Sequence, residues 1–231
     1  MVSLPEGVNV IFLKKFKKLI EDRVKSGDKF IIVVGGGFNA RNFVKEASKI
    51  NPKLSSSNRD WIGISATHLN ANIVKSIFGD LAYEVLIENP NVKIKTKKPL
   101  LFSGGYLPGN SSDFVCAVLA KTYGIKNIVN ISNIDYVYNK DPRKYKDAEK
   151  IEKISWQEFL SIVGSKWTPG LNSPFDPIAS KFCQKEEKKV VILNGSNLSN
   201  LKNYLAGKKF KGTEIYGKKW FKNWEFKFSW R

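Results

Sequence analysis

Three times in this chain an unbroken apolar run stops at glycine and a helical pattern follows, and that recurrence leaves few folds open. Phe30-Ile31-Ile32-Val33-Val34 runs into Gly35-Gly36-Gly37, Pro99-Leu100-Leu101-Phe102 into Ser103-Gly104-Gly105, and Val190-Val191-Ile192-Leu193 into Asn194-Gly195. A strand that is apolar at consecutive positions is buried on both faces, as in a parallel sheet covered by helices. Helical spacing then resumes at Arg41, Val44, Ala47 and Ser48, from about Asp113 to Tyr123 ahead of Gly124, and from Leu198 to Leu205 ahead of Gly207. Asn127 to Ile131 reads as a further strand. The pattern predicts an α/β chain, a three-layer αβα sandwich with a mainly parallel central sheet. Ligands of such sheets bind at the carboxyl ends of the strands, where these glycines lie.

Other stretches supply the remaining elements. Phe12, Leu13, Phe16, Leu19, Ile20 and Val24 recur at helical spacing until Gly27-Asp28. A helix from about Thr67 to Phe78 is expected to end at Gly79 as its C-cap. Ser155-Trp156-Gln157-Glu158 forms a capping box, and Asp176 followed by Pro177 reads as an N-cap with proline in the first helical position. With 231 residues, one sizeable domain over residues 1–215 is expected, followed by a distinct tail over 216–231. That tail interleaves Trp220, Phe221, Trp224, Phe226, Phe228 and Trp230 with five cations. Phe226, Phe228 and Trp230 alternate as one strand face would, and the expectation is that they pack on the domain or on a neighbouring subunit.

Composition narrows the function classes. No apolar run approaches the roughly 18–20 residues that cross a bilayer. Met1 to Gly7 shows no basic-then-apolar leader, so a cytoplasmic location is the default expectation. Cys116 and Cys183 are far apart and outside any C-x-x-C pairing, which favours two buried thiols over a disulfide or a metal site. His68, the single histidine, disfavours zinc sites built on several imidazoles, leaves one candidate for a Ser-His-Asp triad, and reads as a helix-surface residue. The formal charge of +18 invites a nucleic-acid reading. Arginine, however, stands only at 23, 41, 59, 143 and 231, and the lysines are scattered rather than clustered. Nucleic-acid surfaces favour arginine forks and patches. Nucleic acid is therefore disfavoured, while a positive field still suits polyanionic ligands such as nucleotides.

Four loops could carry chemistry. Gly35-Gly36-Gly37 lets the backbone approach a ligand and turns the following helix's N–H groups toward an anion, with Arg41 nearby. A glycine turn serving only strand–helix packing explains it equally well. Ser103 to Asp113 reads Ser-Gly-Gly-Tyr-Leu-Pro-Gly-Asn-Ser-Ser-Asp. One of Ser111 and Ser112 suffices to cap the helix, which leaves the other hydroxyl for a phosphate; Asp113 suits the helix dipole under either reading. Ser132 to Pro142 is dense in polar and aromatic groups, suiting a base and ribose, although an Asp-Pro turn with surface tyrosines also accounts for it. Asn172 to Lys181 opens a helix, and capping alone explains Asp176.

The order of these motifs resembles one family. G-G-G-x-x-A-R, G-G-x-x-P-G-x-S-S-D, S-N-x-D-x-V-Y-x-x-D-P and F-D-P-x-A-x-K look like the archaeal-type uridylate kinases of the amino-acid-kinase family, over about residues 4 to 215. Asp60-Trp61-Ile62-Gly63-Ile64 with Thr67-His68-Leu69-Asn70-Ala71 looks like a fifth motif. The resemblance implies an acceptor-binding part over about 1–124 and an ATP-binding part over about 125–215. UMP would contact Gly36, Asp60, Tyr106, Leu107, Pro108, Gly109, Asn110, Ser111 and Ser112. ATP, carrying Mg²⁺, would contact Gly37, Arg41, Ser132, Asn133, Tyr138 and Asp141. Arg41 and Asp176 would be catalytic, no metal site would belong to the protein itself, and a homo-oligomer, a hexamer in the family, would form away from any membrane. Serines stand at 111, 112 and 132 where the family has threonines, and Tyr136 stands where it often has glycine. Leu4-Pro5-Glu6 matches the segment just after the family's opening strand and Gly-Gly-Ser turn. That strand and turn are not in this sequence, and the expectation is that the true start lies upstream of Met1. A relative that binds nucleotide or oxyanion without catalysis, and a basic nucleic-acid or membrane-surface binder, are the rival readings.

Overall fold

Alternate residues of the buried strands face two different helical layers, which is what fixes the architecture. The computed structural model describes residues 2–5, 7–164 and 173–217. In chain order the elements are β1 (Ser3–Leu4), β2 (Gly7–Val8), α1 (Val10–Lys25), β3 (Phe30–Val33), α2 (Gly37–Ile50), α3 (Ser56–Ser76), β4 (Leu100–Ser103), α4 (Ser112–Thr122) and β5 (Asn127–Ser132). They continue as β6 (Val137–Tyr138), β7 (Lys150–Ile151), β8 (Lys153–Ser155), α5 (Trp156–Val163), α6 (Pro177–Lys185), β9 (Lys189–Asn194), α7 (Leu198–Leu205) and β10 (Thr213–Tyr216). Val191 and Leu193 of β9 and Leu100 and Phe102 of β4 join Phe16, Ile20, Val74 and Leu201 in one core under α1, α3 and α7. Val190 and Ile192 point the other way, into a second core with Trp156, Phe159, Phe175 and Ala179. Leu101 packs with Val115 and Leu119 of α4 in a third. This period-two alternation between two apolar layers makes the fold the expected αβα sandwich.

The sheet is in two pieces, however, rather than one. β3 pairs in parallel with β4, Phe30 opposite Leu100 through Val33 opposite Ser103. The other piece has the order β5-β9-β10-β8, with β5 parallel to β9, β10 antiparallel to β9 and β10 parallel to β8. Segment 82–87 runs along the outer edge of β4, where Tyr83 N–H donates to the Leu100 carbonyl and Ile87 N–H to the Phe102 carbonyl. Among the described residues, the second edges of β3 and of β5 pair with nothing. Helix α4 packs against both β3 and β5 and so joins the two pieces.

Several boundaries depart from the sequence reading. The helix predicted from Thr67 begins at Ser56, behind the Ser55 cap that accepts the Asn58 N–H, so the Asp60–Ile64 motif is helical. Its buried positions Ile64, Ala66, Thr67, Asn70, Ala71 and Val74 mix apolar with polar residues, which blurs the stripe. Gly79 is not its cap, since Ile77 is; Gly79 opens a short 3₁₀ turn at φ 53°. Helix α2 buries no residue in the core and lies against α3 and β1. Tyr216, placed at the head of the tail by composition, is the last residue of β10. The aromatic stretch from Trp220 onward lies outside the described residues. The Ser155–Glu158 capping box, the Asp176 cap and the helix from Leu198 to Leu205 are as predicted.

Candidate functional site

Helix α3 holds both glycine turns from behind. The Asn70 side chain, buried at its centre, donates to the carbonyls of Gly35 and Gly36 at 3.0 Å each and accepts from the Asn39 amide. One turn earlier, Thr67 Oγ1 accepts the Gly105 N–H at 2.6 Å. His68 Nε2 donates to the Gly105 carbonyl at 2.7 Å, so the helix-surface reading of His68 is corrected: it is a clamp on a loop. With carbonyls drawn back to α3, the opposite faces of both turns are left for a ligand. At Gly104 an added Cβ would overlap His68 Cδ2 and lie 2.7 Å from Thr67 Oγ1. Gly104→Ala is accordingly expected to destabilise the fold by about 1–3 kcal/mol through overpacking, read as a lowered melting temperature. An unchanged melting temperature would show that α3 does not clamp the turn.

Asp60 also projects from α3, and its Oδ2 accepts the Gly109 N–H at 2.8 Å, tying it to the acceptor loop assigned by resemblance. Gly109 holds φ 81°, a left-handed conformation that favours glycine. Tyr106, Leu107, Pro108 and Asn110 complete this loop, with Leu107 exposed. A cleft of about 670 Å³ lies between Tyr106, Leu107 and Asn110 on one side and Phe114, Val118 and Lys121 of α4 on the other. Gly36, Asp60 and Ser112 do not line it, so the cleft sits beside the glycine turns rather than within them.

The loop ends where α4 begins. Ser111 caps α4 by accepting the Phe114 N–H, and its hydroxyl is one of the groups that pull the Asp176 pKa down. Ser112 Oγ lies 3.5 Å from where a Cβ of Gly35 would be. The Asp176 N–H donates to Asp113 Oδ2 at 2.9 Å, and Asp176 Oδ1 accepts the Ala179 N–H at 2.7 Å. Burial pushes Asp176 up from the usual carboxylate range, against the pull of its amide and hydroxyl donors. Burial, seconded by the Asp176 charge, pushes Asp113 up to about 6. Two carboxylates, two serines and two glycine turns thus meet at the carboxyl ends of β3 and β4 and the first turn of α6.

The other predicted residues stand apart from this cluster. Ser132 and Asn133 follow β5, and Tyr138 lies in β6. Asp141 is held by the Arg143 guanidinium at 3.1 Å through both oxygens, which keeps its pKa low. Among the described residues, no hydrogen bond or ion pair joins these four to the glycine turns. Gly37 turns at φ 57°, and the Phe38 N–H beside it is already met by Ser3 Oγ. Arg41 is exposed on α2. Cys183 is buried but Cys116 only partly so; both thiols are free, and burial pushes Cys116 up to about 12. Sequence reasoning gave no site role to Asn70 and Thr67, which it quoted only within a motif, and read Asp113 only against its helix dipole. The signal for the first two was a polar side chain on what reads as the inner face of a helix.

The amino acid kinase family profile matches residues 2–194. The chain belongs to the amino acid kinase family. It is 32% identical over 217 residues to the uridylate kinase of Pyrococcus abyssi, covering 93% of this chain and 95% of that one. To a Methanococcus maripaludis uridylate kinase it is 35% identical over 187 residues, 80% of each chain. The crystal structure of the Archaeoglobus fulgidus uridylate kinase superposes with a TM-score of 0.76 at 29% identity, covering 88% of this chain and 91% of that one. The two clamped glycine turns of this amino acid kinase are those named by the resemblance. No helix among its described residues is long and apolar enough to cross a membrane.

Proposed function

We propose that this chain transfers the γ-phosphoryl group of ATP to UMP, yielding UDP and ADP. The observation that carries the reading is the meeting of Ser111, Ser112 and Asp176 beside two glycine turns, in a chain about 30% identical to uridylate kinases over most of its length. Phosphoryl transfer asks mainly for positioning and charge neutralisation. A UMP phosphate oxygen bonds to the γ-phosphorus as the β–γ bridging bond breaks, and ADP leaves with the electron pair. Phosphate monoesters are largely dianionic at pH 7, with a second pKa of about 6, so the acceptor needs no general base. That agrees with a site whose histidine is committed to the Gly105 carbonyl.

In this reading Gly36, Asp60 and the loop from Tyr106 to Ser112 bind UMP, with Asp60 toward the ribose and the serines toward the phosphate. Gly37, Arg41, Ser132, Asn133, Tyr138 and Asp141 serve ATP. Asp141 must then give up Arg143, or act together with it. Mg²⁺ would come with the nucleotide and neutralise charge on the phosphates. Asp176 is the carboxylate proposed to face it. A homo-oligomer, a hexamer by the family resemblance, and a cytoplasmic location belong to the same reading. Exposed Phe43, Trp61 and Leu69 on α2 and α3 support an assembly surface there.

The acceptor is tested by melting the protein with each candidate ligand, since a ligand that binds only the native state stabilises it. UMP is expected to raise the melting temperature more than AMP, GMP or small amino acids at equal concentration. Stabilisation by an acyl amino acid or carbamate, with none by any nucleoside monophosphate, would place the chain in another branch of the family.

A further inference from the structure

We infer that Asp113, outside the residues assigned to either ligand, is a positioning residue that holds Asp176 against the acceptor serines. Asp113 lies in the first turn of α4, two residues beyond the Ser111 cap. A carboxylate there could have pointed to solvent and interacted with the helix dipole alone. Instead Oδ2 crosses to α6 and accepts the Asp176 N–H at 2.9 Å. The Asp176 side chain meanwhile accepts the Ala179 N–H of its own helix. The backbone of Asp176 is therefore fixed from α4 through Asp113. α4 itself packs against β3, β5 and α6, so this bond sets the α6 N-terminus relative to the turn that carries the serines.

The placement is costly if its purpose is packing. A partly buried carboxylate beside a second one opposes folding when ionised, as the upward shift of Asp113, caused first by burial, shows. A neutral asparagine could accept the same N–H without that cost.

The catalytic half of this inference rests on the UMP-kinase reading; the structural half does not. The test uses the full chain with Asp113→Asn and Asp113→Ala, following amide exchange at Asp176 and the kinetics of UDP formation. The Asp176 amide follows that of Phe175 and is the last before Pro177, which carries none. Exchange at Asp176 should be slow in the wild type and in Asp113→Asn and fast in Asp113→Ala, with Ala179 protected in all three. In the kinetics, Asp113→Ala should lose kcat by about 100-fold, the scale of a small misplacement, with UMP and ATP KM little changed. Asp113→Asn should restore most of kcat and melt no lower than the wild type. Equal Asp176 exchange in all three proteins would overturn the inference even if the chain proved to phosphorylate nothing. So would an alanine variant with undiminished kcat. Loss of kcat in Asp113→Asn with Asp176 still protected would also overturn it, assigning the effect to the acid rather than to the hydrogen bond.

Discussion

Asp176→Asn is expected to slow UDP formation by about 100- to 1,000-fold, the loss typical of removing one preorganised electrostatic group from a transition state. The fold should barely notice. Asparagine keeps an oxygen for the Ala179 N–H and remains a favoured N-cap, so α6 still starts at Pro177. What is lost is the negative charge that burial disfavours and that Ser111 and the α6 amides sustain. Asp176→Ala removes the cap as well, and should cost a further ~1 kcal/mol of stability. Comparing melting temperature with kcat for the two variants separates the roles. If Asp176→Asn turns over as fast as the wild type, Asp176 is only a helix cap, and the catalytic assignment fails.

Backbone amides along the open strand edges are expected to exchange at least about 100-fold faster than their neighbours, because unpaired edge groups open at little cost. The direction of each amide follows from the observed pairing. Phe30 and Val34 N–H donate toward β4, and Lys189 and Gly195 N–H reach the carbonyls of Lys126 and Ser132. N–H directions alternate along a strand, so Ile31, Val33, Asn127, Val129 and Ile131 present theirs to the unpaired edges of β3 and β5. Ile32, Ile128 and Asn130 should be slow and these five fast, an alternation read residue by residue by NMR. Uniform protection across β3 and β5 would mean that another strand covers the edges in solution.

How legible this was in the sequence depended on what each residue does. Elements set by local chemistry read well. The Ser155–Glu158 box, Asp176 before Pro177 and glycine after α4 and α7 each satisfy backbone groups within a few residues. Strands buried on both faces read well too, because every position of Val190–Leu193 needs an apolar neighbour. Helix α3 read poorly at its start, since its polar inner residues serve loops 30 or more positions away in the chain. The partner of Asp113 was out of view for the same reason: Asp176 is 63 residues off. The divided sheet was not legible in the apolar runs, which report burial and not which strand lies alongside; its one sign was the opening strand of the resembling family, which this sequence lacks and whose neighbours would be left with unpaired backbone groups. Of the site, the acceptor loop was found as a loop by its glycines and serines, but its support from α3 was not.

The central claim, phosphoryl transfer from ATP to UMP, is tested most directly by following the label of γ-³²P-ATP with UMP, AMP or no acceptor present. The account predicts label in UDP, dependent on both the protein and UMP, with ADP formed in equal amount and none of this in the AMP reaction. Absence of labelled UDP at every protein concentration, or label passing to water or to AMP while UMP stays unlabelled, would contradict it.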